Sequence, residues 1–291
     1  MKTVGRSIAR DVELTGIGLH SGGKVNVRLR PALPGTGLIF VRTELLGPPR
    51  LGLADLWKEG PAFRTTLKRG ALEVHTVEHL LSAVAGLGLT DLQVDLDGPE
   101  LPGLDGSALP FAEALKRAEL VDLPEGEVEA VEARQPVTVT EGQARITLEP
   151  WNAGLKITYD LFYPGEPLAQ GTYSIVLTPE SYLEQIAPAR TFCLRKEAEA
   201  LLAAGFGKGA GTHNTLVLDG GKVLNQTLRF PLEPVRHKIS DLLGDLYLLG
   251  RPVRGSIVAE RSGHRLNRAL VQKLAACAGL QGELSGWPPL T

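Results

Sequence analysis

Two stretches of this chain repeat each other, and that repetition limits what the chain can fold into more than any other feature. Val25-Asn26-Val27-Arg28-Leu29-Arg30-Pro31, then Gly37-Leu38-Ile39-Phe40, is echoed by Ala144-Arg145-Ile146-Thr147-Leu148-Glu149-Pro150, then Gly154-Leu155-Lys156-Ile157. Each is a pair of segments with period-2 apolar residues joined across a Pro/Gly loop, and the pattern predicts a hairpin in both. The segments downstream of each pair repeat as well. In the first half come a helix around His79, a strand (Leu92 to Leu96), a Gly loop (Asp105-Gly106-Ser107) and a helix (Pro110 to Leu120). In the second come a helix around His237, a strand (Ser256 to Ala259), a Gly loop (Ser262-Gly263-His264) and a helix (Leu266 to Cys277). Two copies of one unit tend to pack about a pseudo-twofold axis that sets equivalent positions face to face.

The expectation is therefore an α+β fold of two similar domains from an internal duplication, each a sheet packed with helices, with the active site at the domain interface. Residues 1–124 form the first repeat, with a small insertion at Leu46–Trp57. The acidic stretch Val121 to Gln135 looks short on structure and supplies a linker over 125–135. Residues 136–280 form the second repeat, with a β-α-β insertion at about 190–218, and 281–291 form a loose tail. An asymmetric addition to a symmetric scaffold is a place to look for substrate selection. Ahead of it, Thr178-Pro179-Glu180 caps and opens a short helix through Ile186, and within it a second helix runs from Arg195 to Ala204 and stops at Gly205.

The run Pro234 to Gly250 spaces Val235, Ile239, Leu242, Leu246 and Leu249 as one face of a helix. His237, Asp241 and Asp245 recur every fourth residue on its other side, stacking an imidazole and carboxylates a turn apart. Such a stripe is most often a solvated face. A second helix, His75 to Val84 with Val77, Leu80, Leu81 and Val84 apolar, changes its meaning, because it carries His79 beside Glu78. The duplication makes His79 and His237 equivalent, so the axis brings both imidazoles to Asp241. Two imidazoles and a carboxylate make a three-ligand Zn2+ site with an open position for water, leaving Glu78 as a base.

Composition narrows the class. A chain of 291 residues, 43% apolar and 22% charged, can bury two cores, and its net charge of −2 gives no overall footprint for nucleic acid. Cys193 and Cys277 lack paired or CxxC spacing, which fits reduced thiols in a cytoplasm. No signal-peptide core and no apolar run of spanning length is present, so a cytoplasmic monomer is expected, with any membrane contact peripheral. The loop Gly16 to Gly22 places His20 as a candidate ligand contact. Gly205 to Gly211 lacks the Lys-Ser/Thr ending of a phosphate loop, which argues against nucleotide hydrolysis.

Five blocks in register, Thr76 to Ala83, Gly98 to Ser107, Ala189-Arg190-Thr191-Phe192, Val235 to Asp241 and Ser262-Gly263-His264, resemble the UDP-3-O-acyl-N-acetylglucosamine deacetylases of bacterial lipid A synthesis. The resemblance spans roughly residues 3 to 280. It implies His79, His237 and Asp241 as Zn2+ ligands, with Fe2+ as the other ion to consider in the cell, and Glu78 as general base. It implies a cationic His264, paired with Asp245, that protonates the leaving amine. Thr191 and Lys238 would face the developing oxyanion, and Phe192 would pack on the sugar or acyl group. Leu194, Ala198, Gly207, Gly211, Thr215 and Val217 would line an apolar passage for the 3-O-acyl chain, and Arg261 would stand near the UDP phosphates.

This sequence departs from the family pattern at Cys193-Leu194, in Gly211-Thr212-His213-Asn214-Thr215, and at Leu161, where an aromatic residue is usual. All three lie in the acyl or nucleotide shell. Two other readings share the motifs. His75-Thr76-Val77-Glu78-His79 fits the His-x-x-Glu-His pattern of a zinc peptidase, with His75 and His79 as ligands. A non-catalytic sugar-nucleotide binder would use the metal only as structure.

Overall fold

A computed structural model describes residues 2–55 and 60–280; the tail expected at 281–291 and the end of the Leu46–Trp57 insertion lie outside them. The first half comprises β1 (Lys2–Ile8), β2 (Val12–Ile17), β3 (Lys24–Arg30), β4 (Leu38–Arg42), β5 (Arg50–Gly52), β6 (Thr66–Arg69), β7 (Leu72–His75), α1 (Glu78–Gly86), β8 (Leu92–Leu96), α2 (Leu109–Arg117) and β9 (Leu120–Glu129). The second comprises β10 (Val131–Glu132), β11 (Val137–Glu141), β12 (Ala144–Glu149), β13 (Leu155–Phe162), β14 (Gln170–Val176), α3 (Pro179–Gln185), β15 (Phe192–Leu194), α4 (Arg195–Ala203), β16 (Leu216–Asp219), β17 (Lys222–Val223), α5 (Glu233–Leu246), β18 (Val253–Glu260) and α6 (His264–Cys277). The fold is α+β.

Period-2 patterning sets the two main sheets. In β3, Val25, Val27 and Leu29 are buried while their neighbours are exposed, and β13 and β18 alternate buried with half-buried residues. The strand order is β2-β3-β8-β4-β5 in one sheet and β11-β12-β18-β13-β14 in the other. The predicted hairpins are therefore absent. β8 separates β3 from β4, antiparallel to the first and parallel to the second, and β18 separates β12 from β13 in the same way. The connection over residues 31–37 carries no two-residue turn chemistry to enforce direct pairing, and it can cross two strand spacings of about 4.8 Å each. The gap is filled by the apolar strand that comes after the helix in each half. That shared order is compatible with a duplication.

The acidic stretch expected as a linker is also ordered. β9 runs antiparallel to β1 from Leu120 through Glu129 and keeps its acidic residues on exposed positions, where charge does not oppose strand pairing. β10 then joins the second sheet beside β18.

The helices face inward. α2 packs on β2, α5 on β13 and β14, α6 on β11 and β12, and α1 packs against α2 and α5. The α1–α5 contact is close: a Cβ on Gly244 would lie 2.2 Å from the carbonyl oxygen of Glu78. The hydroxyls of Ser82 and Ser240 meet at 2.8 Å across it. The stripe His237, Asp241, Asp245, whose commonest fate is solvent, is thus buried along with the apolar face of α5. α1 begins at Glu78 rather than His75, since β7 continues through His75 and Thr76 adopts a left-handed φ of 57°. Among the described residues no helix is long and apolar enough to cross a membrane.

Candidate metal centre and active-site cavity

Each half contributes one helix to the centre. α1 carries Glu78 and His79 in its first turn, and α5 carries His237 and Asp241 a turn apart. His237 Nε2 is 3.2 Å and His79 Nε2 is 4.0 Å from Asp241 Oδ1, and one donor atom from each residue lies within 4.8 Å of the others. Donors about 2.0–2.1 Å from a tetrahedral Zn2+ stand about 3.3 Å apart, so the side chains must draw together by up to about 1.5 Å to close on one ion. The tautomer also fits. His237 Nδ1–H donates to the carbonyl of Ala189 at 3.0 Å, which leaves the Nε2 lone pair facing the other donors.

Electrostatics hold His79 and Asp241 in ligand form. Burial first, and His237 second, pushes the His79 imidazole down to about 4, so it is neutral near pH 7. Burial opposes ionisation of Asp241, yet His237 and Lys238 outweigh it and hold the carboxyl well below its usual range. Burial likewise opposes the charge on Lys238, but Asp241 raises it above its ordinary value, and Nζ donates to Asp241 Oδ2 at 2.8 Å.

Acid–base groups flank the donors on one side. Burial pushes the Glu78 carboxyl up to about 7, against the pull of His264, and the amide of Thr65 donates to its Oε2 at 3.1 Å. His264 stands at the start of α6, two residues before the predicted helix start, because Gly263 can serve as its N-cap. Its Nε2 lies 4.0 Å from Glu78 Oε1 and 3.8 Å from Asp241 Oδ2, while Nδ1 is 2.7 Å from Asp245 Oδ2. Burial disfavours its charge, but Asp245 and Asp241 prevail and raise its pKa. The fully buried Asp245 also accepts from Thr65 Oγ1 at 2.6 Å and from Asn267 Nδ2 at 2.8 Å. Thr65 and Asn267 carry no motif; the sequence holds no sign that they brace Asp245.

The donors open into a cavity of about 850 Å³. Of the expected substrate contacts, Phe192, Ala198, Gly207, Gly211, Thr215, Val217 and His20 line it, as do Thr191 and Lys238. Leu194 and Arg261 do not. Leu194 is the last residue of β15 and points into the core, whereas Arg261 is exposed, donates to Gln143 and lies 4.4 Å over the Phe162 ring. Leu161 is likewise a core residue of β13. In residues 190–218, β15 and β16 run parallel with α4 between them, and α3 starts at a Thr178 capping box. α4 buries none of its residues fully; Ala198, Leu201 and Leu202 face the cavity. Phe63 and Tyr163, which the motifs did not flag, also line the wall, and Phe63 packs 4.8 Å from the His20 ring.

His75 is not part of this centre. It ends β7, its Nδ1 is 3.1 Å from Thr66 Oγ1, its Nε2 is 3.1 Å from Glu73, and the metal-competent group omits it. A strand cannot place positions 75 and 79 one helical turn apart, so the His-x-x-Glu-His reading loses its geometric basis.

Residues 5–276 match the profile of the UDP-3-O-acyl N-acetylglycosamine deacetylase family. Similar proteins carry closely related names. A UDP-3-O-acyl-N-acetylglucosamine deacetylase of Myxococcus xanthus is 39% identical over 92% of this chain and 85% of its own length. One of Coxiella burnetii is 39% identical over 93% of this chain and 90% of its own. One of Anaeromyxobacter dehalogenans is 38% identical over 93% and 87%. With two halves each lending a histidine to one buried donor set, and with likeness over nearly its whole length, this chain belongs to the UDP-3-O-acyl N-acetylglycosamine deacetylase family.

Proposed function

We propose that the chain hydrolyses the N-acetyl group of UDP-3-O-acyl-N-acetylglucosamine to acetate and the free amine, an early step of lipid A synthesis, with Zn2+ at His79, His237 and Asp241. The observation that carries this is the pairing of Glu78 with His264, 4.0 Å apart beside the three donors. A purely structural metal site needs neither a spare base nor a spare acid.

When bound, the ion supplies a Lewis acid that polarises the acetamide carbonyl and lowers the pKa of a water. The protein's groups do the rest. Glu78 takes a proton from the attacking water as its oxygen bonds the carbonyl carbon. Lys238 and Thr191 offer donors where negative charge grows on the carbonyl oxygen. As the C–N bond breaks, His264, kept cationic by Asp245, protonates the departing nitrogen. Phe192 and the apolar side of α4 hold the sugar and the acyl chain.

Mass-spectrometric detection of acetate released from the UDP-linked substrate, with and without its 3-O-acyl chain, tests the reading. Glu78→Ala should lower kcat by roughly 10²- to 10⁴-fold while metal is retained. A Glu78→Ala protein as active as wild type would favour a binder whose metal is only structural.

A further inference from the structure

We infer that the buried Arg190–Glu233 ion pair is a positioning device for the metal centre, holding the Ala189 carbonyl against the ring of His237. The inference rests on the assignment of His79, His237 and Asp241 as metal donors. Glu233 opens α5, one turn before His237 and two before Asp241, so the three share one face of the helix. Its side chain is fully buried, and its partner Arg190 is only 5% exposed.

Nearly every polar atom of the pair is engaged. Glu233 Oε1 accepts from Arg190 Nε at 2.7 Å and from the Arg190 amide at 3.1 Å. Oε2 accepts from Arg190 Nη2 at 3.0 Å and from the Arg229 amide at 2.7 Å. Nη2 also donates to the carbonyl of Thr227 at 2.7 Å, and Nη1 donates to the side chain of Gln226. A buried ion pair contributes little net stability against an apolar pair of the same volume, because both charges must leave water. What this one supplies is a defined orientation: a planar fork gripping a carboxylate at two points, with the main chain of residue 190 tied to the same carboxylate.

That main chain is the segment the centre depends on. Ala189, one residue before, presents the carbonyl that accepts from His237 Nδ1. Thr191, one residue after, lines the cavity beside the donors. Arg190 and Glu233 therefore fasten this segment along the first turn of α5, and the register of that fastening decides whether the carbonyl meets the imidazole. The carbonyl in turn selects the tautomer and fixes the ring.

The test measures Zn2+ affinity by competition with a chromophoric chelator, on folded protein well below its Tm. Arg190→Gln should bind Zn2+ about 10- to 100-fold more weakly than wild type. Arg190→Lys should recover little of that, since an ammonium cannot make two parallel contacts. Leu148→Ala, which hollows the core of the second sheet at a fully buried position, should lower Tm but leave Zn2+ affinity unchanged. The double variant Arg190→Met, Glu233→Leu removes both charges together and should recover Tm relative to either single variant, with Zn2+ binding still weak. Wild-type Zn2+ affinity in Arg190→Gln, or an affinity that returns together with Tm in the double variant, would overturn the inference. A wild-type protein that binds no Zn2+ would instead overturn the donor assignment beneath it.

Discussion

Replacing Gly244 by alanine sets two effects of opposite sign against each other. In a helix interior the change should stabilise by about 1 kcal/mol, because alanine gives up less backbone entropy than glycine. Gly244, however, faces α1, and its new Cβ would sit 2.2 Å from the carbonyl oxygen and 2.9 Å from the carbonyl carbon of Glu78. Real Cβ contacts stay beyond 3.0 Å, so one backbone must retreat by about 0.8 Å. Overpacking of this kind costs about 1–3 kcal/mol, which outweighs the propensity gain and should lower Tm by a few degrees.

The larger consequence concerns chemistry. Glu78 and His79 ride on α1 while His237 and Asp241 ride on α5, and metal ligands tolerate only about ±0.2 Å. A shift of that size should weaken Zn2+ binding and reduce kcat on the order of 10²-fold. Chelator competition and acetate release measure the two. Gly86→Ala is the control, since its Cβ would strike the Tyr182 ring at 2.3 Å, away from the donors, and should cost stability with less effect on metal. Gly244→Ala protein with wild-type Zn2+ affinity and kcat would refute the claim that this crossing sets the centre.

The same geometry sets other outcomes. His237→Ala should lose most of its bound metal and His75→Ala should keep it, by metal analysis of the purified proteins; the reverse result would restore the His-x-x-Glu-His assignment. Thr65→Val strips the buried Asp245 of a donor and should destabilise by about 1–3 kcal/mol in denaturant titration; an unchanged midpoint would count against that brace. Glu100 is buried, which raises its carboxyl, but Ser21, His20 and Thr76 donate to it and bring its pKa below the ordinary value. A depressed carboxylate stabilises the fold above its unfolded pKa of about 4.3 and loses that contribution as pH falls toward the folded value. Wild type should therefore lose stability across that acid window more steeply than Glu100→Gln; parallel curves would show that Glu100 does not contribute.

Much of this protein is legible in its residue order. Helical spacing in 234–250 locates α5 and its stripe, the segments read as strands at Leu92–Leu96 and Ser256–Ala259 fall on β8 and β18, and Thr178-Pro179 marks the start of α3. The repeated order of segments points to the meeting of His79 with His237, because equivalent positions in paired units face each other. These are properties of neighbouring residues, and short-range periodicity encodes them. Three things are settled only by distant parts of the chain. β8 and β18 wedge into the expected hairpins because pairing goes to whichever strand buries the most apolar surface, wherever it lies in the chain. The stripe on α5 is interior because α1 crosses at Gly244 and covers it. Thr65 and Asn267 reach Asp245, and Arg190 reaches Glu233, across separations that no local pattern records. The amino-acid order determined which groups could take part in the chemistry; packing decided which of them lost their water, and with it their protonation state and their aim.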